Sequence, residues 1–199
     1  MIEPTTTASS EIEAMRWYHT IELADGTVTP GEYDLRPVME RLPMPDSLQG
    51  MRCIDVGSRD GYDLDPSEHG QFDFAMLGAL LVQLRDPVGA LVALRRVVTG
   101  TLLINDAVSV GVDLLRRRAV AELYMQGGPF WWMCNPAGLR RMAEAAGFRV
   151  VDSSRPFLIP HGKGGLPHAP RLRGPLRSLP RRLAQRRGAL HVWVLAAAS

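Results

Sequence analysis

The sequence predicts an α/β fold in which strands and helices alternate along one sheet. Three observations predict it. Short apolar runs, "MRCIDV", "QFDFAMLGALLVQL" and "TLLIND", read as buried parallel strands. Two helices between or after them carry clear start signals, Asp86-Pro87 and Asn135-Pro136. Strand and helix patterns then follow one another in the order an α/β sheet requires. The chain has 199 residues and a hydrophobic fraction of 46%, enough to bury one core.

In chain order, residues 1–14 read as a disordered lead and residues 15–199 as one domain. "WYHTIEL" suits a short strand, and "ADG" is a turn signal. "GEYDLRPVMERL" predicts a helix with Pro37 near its start, and "LPMPDSLQG" a loop. "MRCIDV" enters Gly57 as a strand, with Cys53 as a small buried hydrophobe. "QFDFAMLGALLVQL" is a second buried run. "RDPVGALVALRRVVTG" is a helix capped by Asp86, with Gly100 expected just past its end. "TLLIND" is a strand, "VDLLRRRAVAELYM" has helical spacing, and "GGPFWWMCN" breaks it. "NPAGLRRMAEAAG" is a helix from Asn135 to Gly147, and "FRVVDSS" a strand. Residues 155–180 read as a Pro/Gly/Arg-rich loop, "PRRLAQRRG" as a short helix and "ALHVWVLAAA" as the last strand.

Charge is unevenly spread. All 21 acidic residues lie at or before Asp152, whereas nine of the 23 basic residues follow it. This tail could meet phosphate, or it could be a solvated basic face. There is no apolar run of about 18 residues to cross a membrane. The N-terminus lacks the basic and apolar regions of a signal peptide, so a cytoplasmic location is expected. Cys53 and Cys134 match no metal or redox spacing, and His161 and His168 lie in a run without acids or cysteines, so no metal is expected.

The strongest chemical motif is "DVGSRDG", Asp55 to Gly61. Glycine after a strand lets the backbone approach a ligand closely, as in nucleotide-binding folds. It also suits an ordinary tight turn. The motif does not stand alone. "WYHTIELADGTVTPGEYDLRP", "CIDVGSRDGY", "FDFAMLGALLVQLRDPVGAL" and "GGPFWWMCNPAGLRRMAEAAGF" follow in this order. In these stretches the chain resembles class I S-adenosylmethionine-dependent methyltransferases. It is most similar to the group related to the enzyme that carboxymethylates the wobble uridine of tRNA.

The resemblance implies a Rossmann-like methyltransferase sheet with an antiparallel last strand. It implies S-adenosylmethionine or carboxy-S-adenosylmethionine as cofactor, and a small molecule or tRNA as the partner that is modified. Asp55, Gly57, Ser58 and Gly61 match the loop that holds the amino-acid end of the cofactor. Asp63 falls in the acid-bearing segment before the fourth strand, as does Asp65, and Leu77 and Gly78 match that strand's end beside the methyl group. Gln83 stands where relatives often carry histidine.

One departure dominates. In the family, two strands and their helices separate the glycine loop from the fourth strand, and the second strand supplies an acid to the ribose. A βαβ unit needs about 30 residues. Here only ten residues, 62–71, separate Gly61 from Phe72. The sheet is therefore expected to be shortened, lacking strands 2 and 3 and their helices. The family order 3-2-1-4-5-7-6 then reduces to 1-4-5-7-6, with strand 1 as an exposed edge through which a homo-oligomer could form.

Four further residues are candidates for the substrate side. His19 could line a substrate mouth or be a half-exposed structural histidine. Trp131 and Trp132, after a Gly-Gly-Pro break, could stack a base or pack into the core, and Tyr124 faces the same choice.

Overall fold

In the computed structural model, the structure describes residues 12–57, 64–109, 118–123, 130–165 and 188–198. In chain order the elements are β1 (Trp17–His19), β2 (Gly31–Tyr33), β3 (Cys53–Val56), α1 (Pro66–His69), β4 (Phe72–Gly78), α2 (Pro87–Val97), β5 (Val98–Ala107), β6 (Ala121–Leu123), β7 (Trp132–Cys134), α3 (Pro136–Ala145), β8 (Phe148–Ser153), β9 (Phe157–Pro160) and β10 (Gly188–Ala198). Two 3-10 turns, Arg36–Arg41 and Leu81–Gln83, complete the set. The chain divides into two compact units, residues 1–42 with 158–189 and residues 43–157 with 190–199.

In the first unit β1 pairs with β2 in parallel, Trp17 opposite Gly31 and His19 opposite Tyr33. The "ADG" turn forms as expected: Asp25 Oδ1 accepts from Thr27 N at 2.9 Å and Gly26 takes φ 83°. The helix expected over 31–42 is not there. Residues 31–33 are taken up by pairing with β1, and the 3-10 turn that follows ends at Arg41, with Leu42 already extended. Pro43 comes next, and proline disfavours helical geometry in the residue before it. Phe157–Pro160, inside the stretch read as loop, is a strand.

The second unit holds the main sheet, in the order β3-β4-β5-β10-β8. β3, β4 and β5 are parallel, and β10 runs antiparallel to both β5 and β8. This is the reduced order 1-4-5-7-6 with its antiparallel last strand. One face of the sheet packs on α2 and α3. Leu91, Leu94 and Val97 of α2 and Leu139 and Ala143 of α3 meet Ala75, Leu77, Leu102, Ile104, Val192 and Val194 in one buried cluster. Each buried leucine there stabilises the fold by roughly 1.5–3 kcal/mol.

The helix starts are as read. Asp86 Oδ1 accepts from Gly89 N at 2.8 Å, and Asn135 Oδ1 accepts from Gly138 N at 2.7 Å. Gly147, with φ 88°, follows the end of α3. Gly100 does not close α2. The β-branched run Val97–Val98–Thr99 passes directly from helix into β5, and Gly100 lies in that strand. A Cβ there would collide with the Asp73 carbonyl oxygen, so glycine permits close approach of β4 and β5. Residues 121–123, inside a stretch with helical spacing, form β6 against β7. Cys53 is exposed rather than buried: Ile54 and Val56 face the helix-side core, and alternation turns Cys53 and Asp55 to the other face of an edge strand. The expected helix at 180–188 falls almost wholly outside the described residues.

Asn135 has more than a capping role: it also accepts from Val120 N at 3.0 Å and donates through Nδ2 to Arg118 O at 2.8 Å. Asn135→Ala is expected to lower unfolding free energy by about 2 kcal/mol or more in denaturant titration, above the ~1 kcal/mol of a simple cap. Asn135→Asp keeps the two acceptor contacts and should lose less.

Candidate functional site

The parallel strands bring three of the predicted residues, Gly57, Leu77 and Gly78, to one edge of the sheet. Val56 lies opposite Leu77, Leu77 opposite Ile104, and Gly78 opposite Asn105. Gly57 and Gly78 thus stand side by side at the carboxyl ends of the strands, where α/β folds bind ligands. A Cβ at either position would meet nothing within 4 Å, so both glycines border open space. Asp55 is exposed on β3. Leu77 is wholly buried in the helix-side core, so only its backbone is placed to meet a ligand. Ser58, Gly61, Asp63 and Tyr124 lie outside the described residues. Asp65 is committed elsewhere: it caps α1, accepting from Ser67 N at 2.7 Å and Ser67 Oγ at 2.6 Å. The Ser67 bonds hold its carboxyl below the usual range.

Beyond Gly78 the chain turns sharply. Ala79 adopts φ 50°, a left-handed conformation that costs a non-glycine residue of order 1 kcal/mol or more. Two bonds hold it there: Ala79 N donates to Asn105 O at 2.8 Å, and Gln83 Nε2 donates to Ala79 O at 2.8 Å. Gln83 serves here as a brace for this turn.

Sequence reasoning missed the group at the centre of the edge, Asp106. It is fully buried near the end of β5 and accepts from Leu81 N at 2.7 Å and Ala107 N at 2.7 Å. Burial pushes its pKa up to about 7, against the pull of these backbone bonds. Burial also raises the neighbouring Cys134 thiol to about 12, with the Asp106 charge adding to it, so Cys134 is an unreactive structural thiol. Ser109 N donates to Cys134 O at 2.8 Å, tying β7 to the end of β5. Two buried polar atoms here, Asn105 Oδ1 and Ser109 Oγ, have no hydrogen-bond partner among the described residues. The polar ending of "TLLIND" was the visible signal: two polar residues close an apolar strand.

Trp131 and Trp132 belong to this unit as well. Trp131 N donates to Val82 O at 2.7 Å, and the Arg85 guanidinium lies 4.7 Å above the Trp131 ring centre. Trp132 Nε1 donates to Arg85 O at 2.9 Å. Both rings are half-buried and anchored on the segment after β4. His19 lies in the first unit. It stands edge-on to Tyr18 at 4.7 Å, which packs against Tyr33 at 5.4 Å, and burial lowers its pKa. Among the described residues no group of three or more His, Cys, Asp or Glu is placed to hold a metal ion. Among them, too, no helix is long and apolar enough to cross a membrane.

No family model matches this chain, and no curated protein does. Solved structures do. The chain is similar to the N-terminal domain of EvdMO1, crystallised in the presence of SAH and D-fucose, at 14% identity over 96% of this chain and 94% of that one, with a TM-score of 0.49. It is similar to a chain of the complex between the Haloferax volcanii Trm112 methyltransferase activator and the methyltransferase assigned to it, at 14% identity over 80% and 85% of the two chains, TM-score 0.46. Magnesium protoporphyrin IX methyltransferase from Synechocystis, with bound SAH, gives 12% identity over 72% of this chain and 50% of that one, TM-score 0.38. At these values no residue role passes from those proteins to this one.

The raised Asp106 pKa has a definite linkage sign. The folded pKa lies above the ordinary carboxyl value of about 3.9, so the folded state holds this proton more tightly than the unfolded chain. Its contribution is fully present below about pH 4 and falls as pH rises to about 7, the folded pKa. The stability of wild type relative to Asp106→Asn, from urea titrations at several pH values, should fall through this window and level off above it. A flat difference would contradict the assignment.

Proposed function

We propose that this chain is a methyltransferase-like protein that keeps the acceptor side of an S-adenosylmethionine site and lacks the side that grips adenosine. The observation that carries the reading is the ten residues, 62–71, that are all that separate Gly61 from Phe72, where a βαβ unit alone needs about 30; β3 pairs directly with β4, Cys53 opposite Phe74 through Val56 opposite Leu77, as in the family order. The glycine loop therefore lies beside the strand where a methyl group would be delivered, with only ten residues between Gly61 and Phe72. The family activity is transfer of a methyl or carboxymethyl group to a small molecule or a tRNA base.

The described residues suit one end of the cofactor only. Gly57 and Gly78 border open space, so the amino-acid end of S-adenosylmethionine or carboxy-S-adenosylmethionine fits beside them. The adenosine end has no matching groups among the described residues. Residues 66–69 are helical, and the carboxylate that precedes them, Asp65, is spent on capping. Methyl transfer depends on alignment of two held reactants, and a half-held cofactor loses it. The same observation favours a second reading, in which the chain is a non-catalytic binding remnant of a methyltransferase or an incomplete gene product.

Two outcomes are expected. Titration calorimetry of the purified 199-residue chain with S-adenosylmethionine should show no micromolar binding; micromolar affinity would overturn the reading. The free edge of β3 should promote self-association, so light scattering should report a mass that rises with concentration, and a monodisperse monomer at high concentration would count against it.

A further inference from the structure

We infer that β3 is the seam of a two-fold dimer, in which the β3 strands of two copies of this chain pair antiparallel with Ile54 opposite the partner's Ile54. This seam rests on the shortened sheet proposed above, which frees the edge, and it fixes the symmetry and register of the self-association expected there.

The backbone decides which groups face outward. Phe74 N donates to Arg52 O at 3.3 Å, so Arg52, Ile54 and Val56 turn their N–H and C=O groups to β4. Cys53 and Asp55 turn theirs to the other edge, where no described strand pairs. Such a row of unpaired groups is a template for another strand, and a second copy brings the same row. A closed dimer relates the two rows by a two-fold axis. An axis along the strands would make them parallel and set each outward residue level with its own counterpart, whereas parallel bonding is slanted and needs the outward residues staggered. Antiparallel pairing remains. There, outward residues must oppose outward residues, so the axis passes through Cys53, Ile54 or Asp55.

Side-chain chemistry and the flanking turn select among these. An axis at Asp55 sets two carboxylates directly opposite, and like charges there are destabilising. An axis at Cys53 sets Asp55 against the partner's Met51, but Met51 N is already spent in a turn, donating to Leu48 O at 3.1 Å. An axis at Ile54 sets Cys53 opposite the partner's Asp55 and Asp55 opposite the partner's Cys53. Each outward N–H of the strand then meets an outward carbonyl, and no carboxylate faces another. Ile54 is half-buried against the helix-side cluster, and the partner's Ile54 beside it extends that apolar contact across the seam. A seam this short falls below the roughly 1,200 Å² of a stable interface, so the dimer forms only at high concentration.

The test traps the seam in the full chain at high concentration with oxidised glutathione, which takes up the electrons as two thiols join. Directly opposed residues that do not bond each other have Cα atoms about 4.5 Å apart, inside the roughly 4.4–6.8 Å that a disulfide spans. Cys53→Ser with Ile54→Cys should therefore give a covalent dimer on a non-reducing gel. Cys53→Ser with Asp55→Cys should not, because the two thiols would lie on opposite sides of the axis. Wild type should stay unlinked, since its exposed Cys53 faces the partner's Asp55 and its other thiol, Cys134, is buried. Cys53→Pro removes one outward donor and no bond to β4, so it should lower the mass that light scattering reports at equal concentration. If Ile54→Cys does not fold, Asp55→Cys with Cys53 retained carries the comparison, its thiols opposed across the seam at a Cα distance of about 5.5 Å, and it should link. A wild-type dimer linked through Cys53, a link in Cys53→Ser with Asp55→Cys, no link in the variant expected to form one, or an unchanged mass for Cys53→Pro overturns the inference. None of these readouts involves the cofactor, so failure here is distinguishable from the outcome of the calorimetric titration.

Discussion

The second unit turns on one buried carboxylate. Asp106 has no salt-bridge partner among the described residues; backbone N–H groups from two segments satisfy it instead. Burying a charge is costly unless it is well bonded, and these bonds are what make the position tolerable. In return, the carboxylate fastens the turn after β4 to the end of β5. That turn carries the strained Ala79, the Gln83 brace and the carbonyls of Val82 and Arg85, to which Trp131 and Trp132 are bonded. The open space beside Gly78, the aromatic pair and the buried polar atoms of β5 are therefore one mechanical assembly.

The sheet is asymmetric because of where it stops. β3 pairs on one side only among the described strands, and its alternate residues Cys53 and Asp55 face solvent. A parallel sheet normally has both faces covered. Here the helix-side face of β4 and β5 keeps its apolar cover, while the other face carries Asn105, Ser109 and the exposed edge of β3.

What the sequence made legible was local. Asp86 and Asn135 cap the helices they precede because capping depends on three or four residues of chain. The family resemblance supplied the strand order, including β3 beside β4, and the short gap before Phe72 supplied the expectation of a shortened sheet. What stayed hidden was set by distant partners. Asp106 bonds Leu81, 25 residues away. The helix expected at 31–42 yielded to a strand pair with β1, and Cys53 read as buried until its strand proved to be an edge. Gly100 looked like a helix terminator, but the Asp73 backbone on the neighbouring strand is what requires it.

Among the described strands the sheet ends at β3. In the register of β3 on β4, Arg52 O accepts from Phe74 N, so the amides of Ile54 and Val56 point to β4 and those of Cys53 and Asp55 point to the free edge. Amide hydrogen exchange followed residue by residue, in a sample dilute enough to be monomeric, reads this directly. Protection is expected at Ile54 and Val56 and rapid exchange at Cys53 and Asp55. Equal protection of all four amides would place another strand on that edge and contradict it.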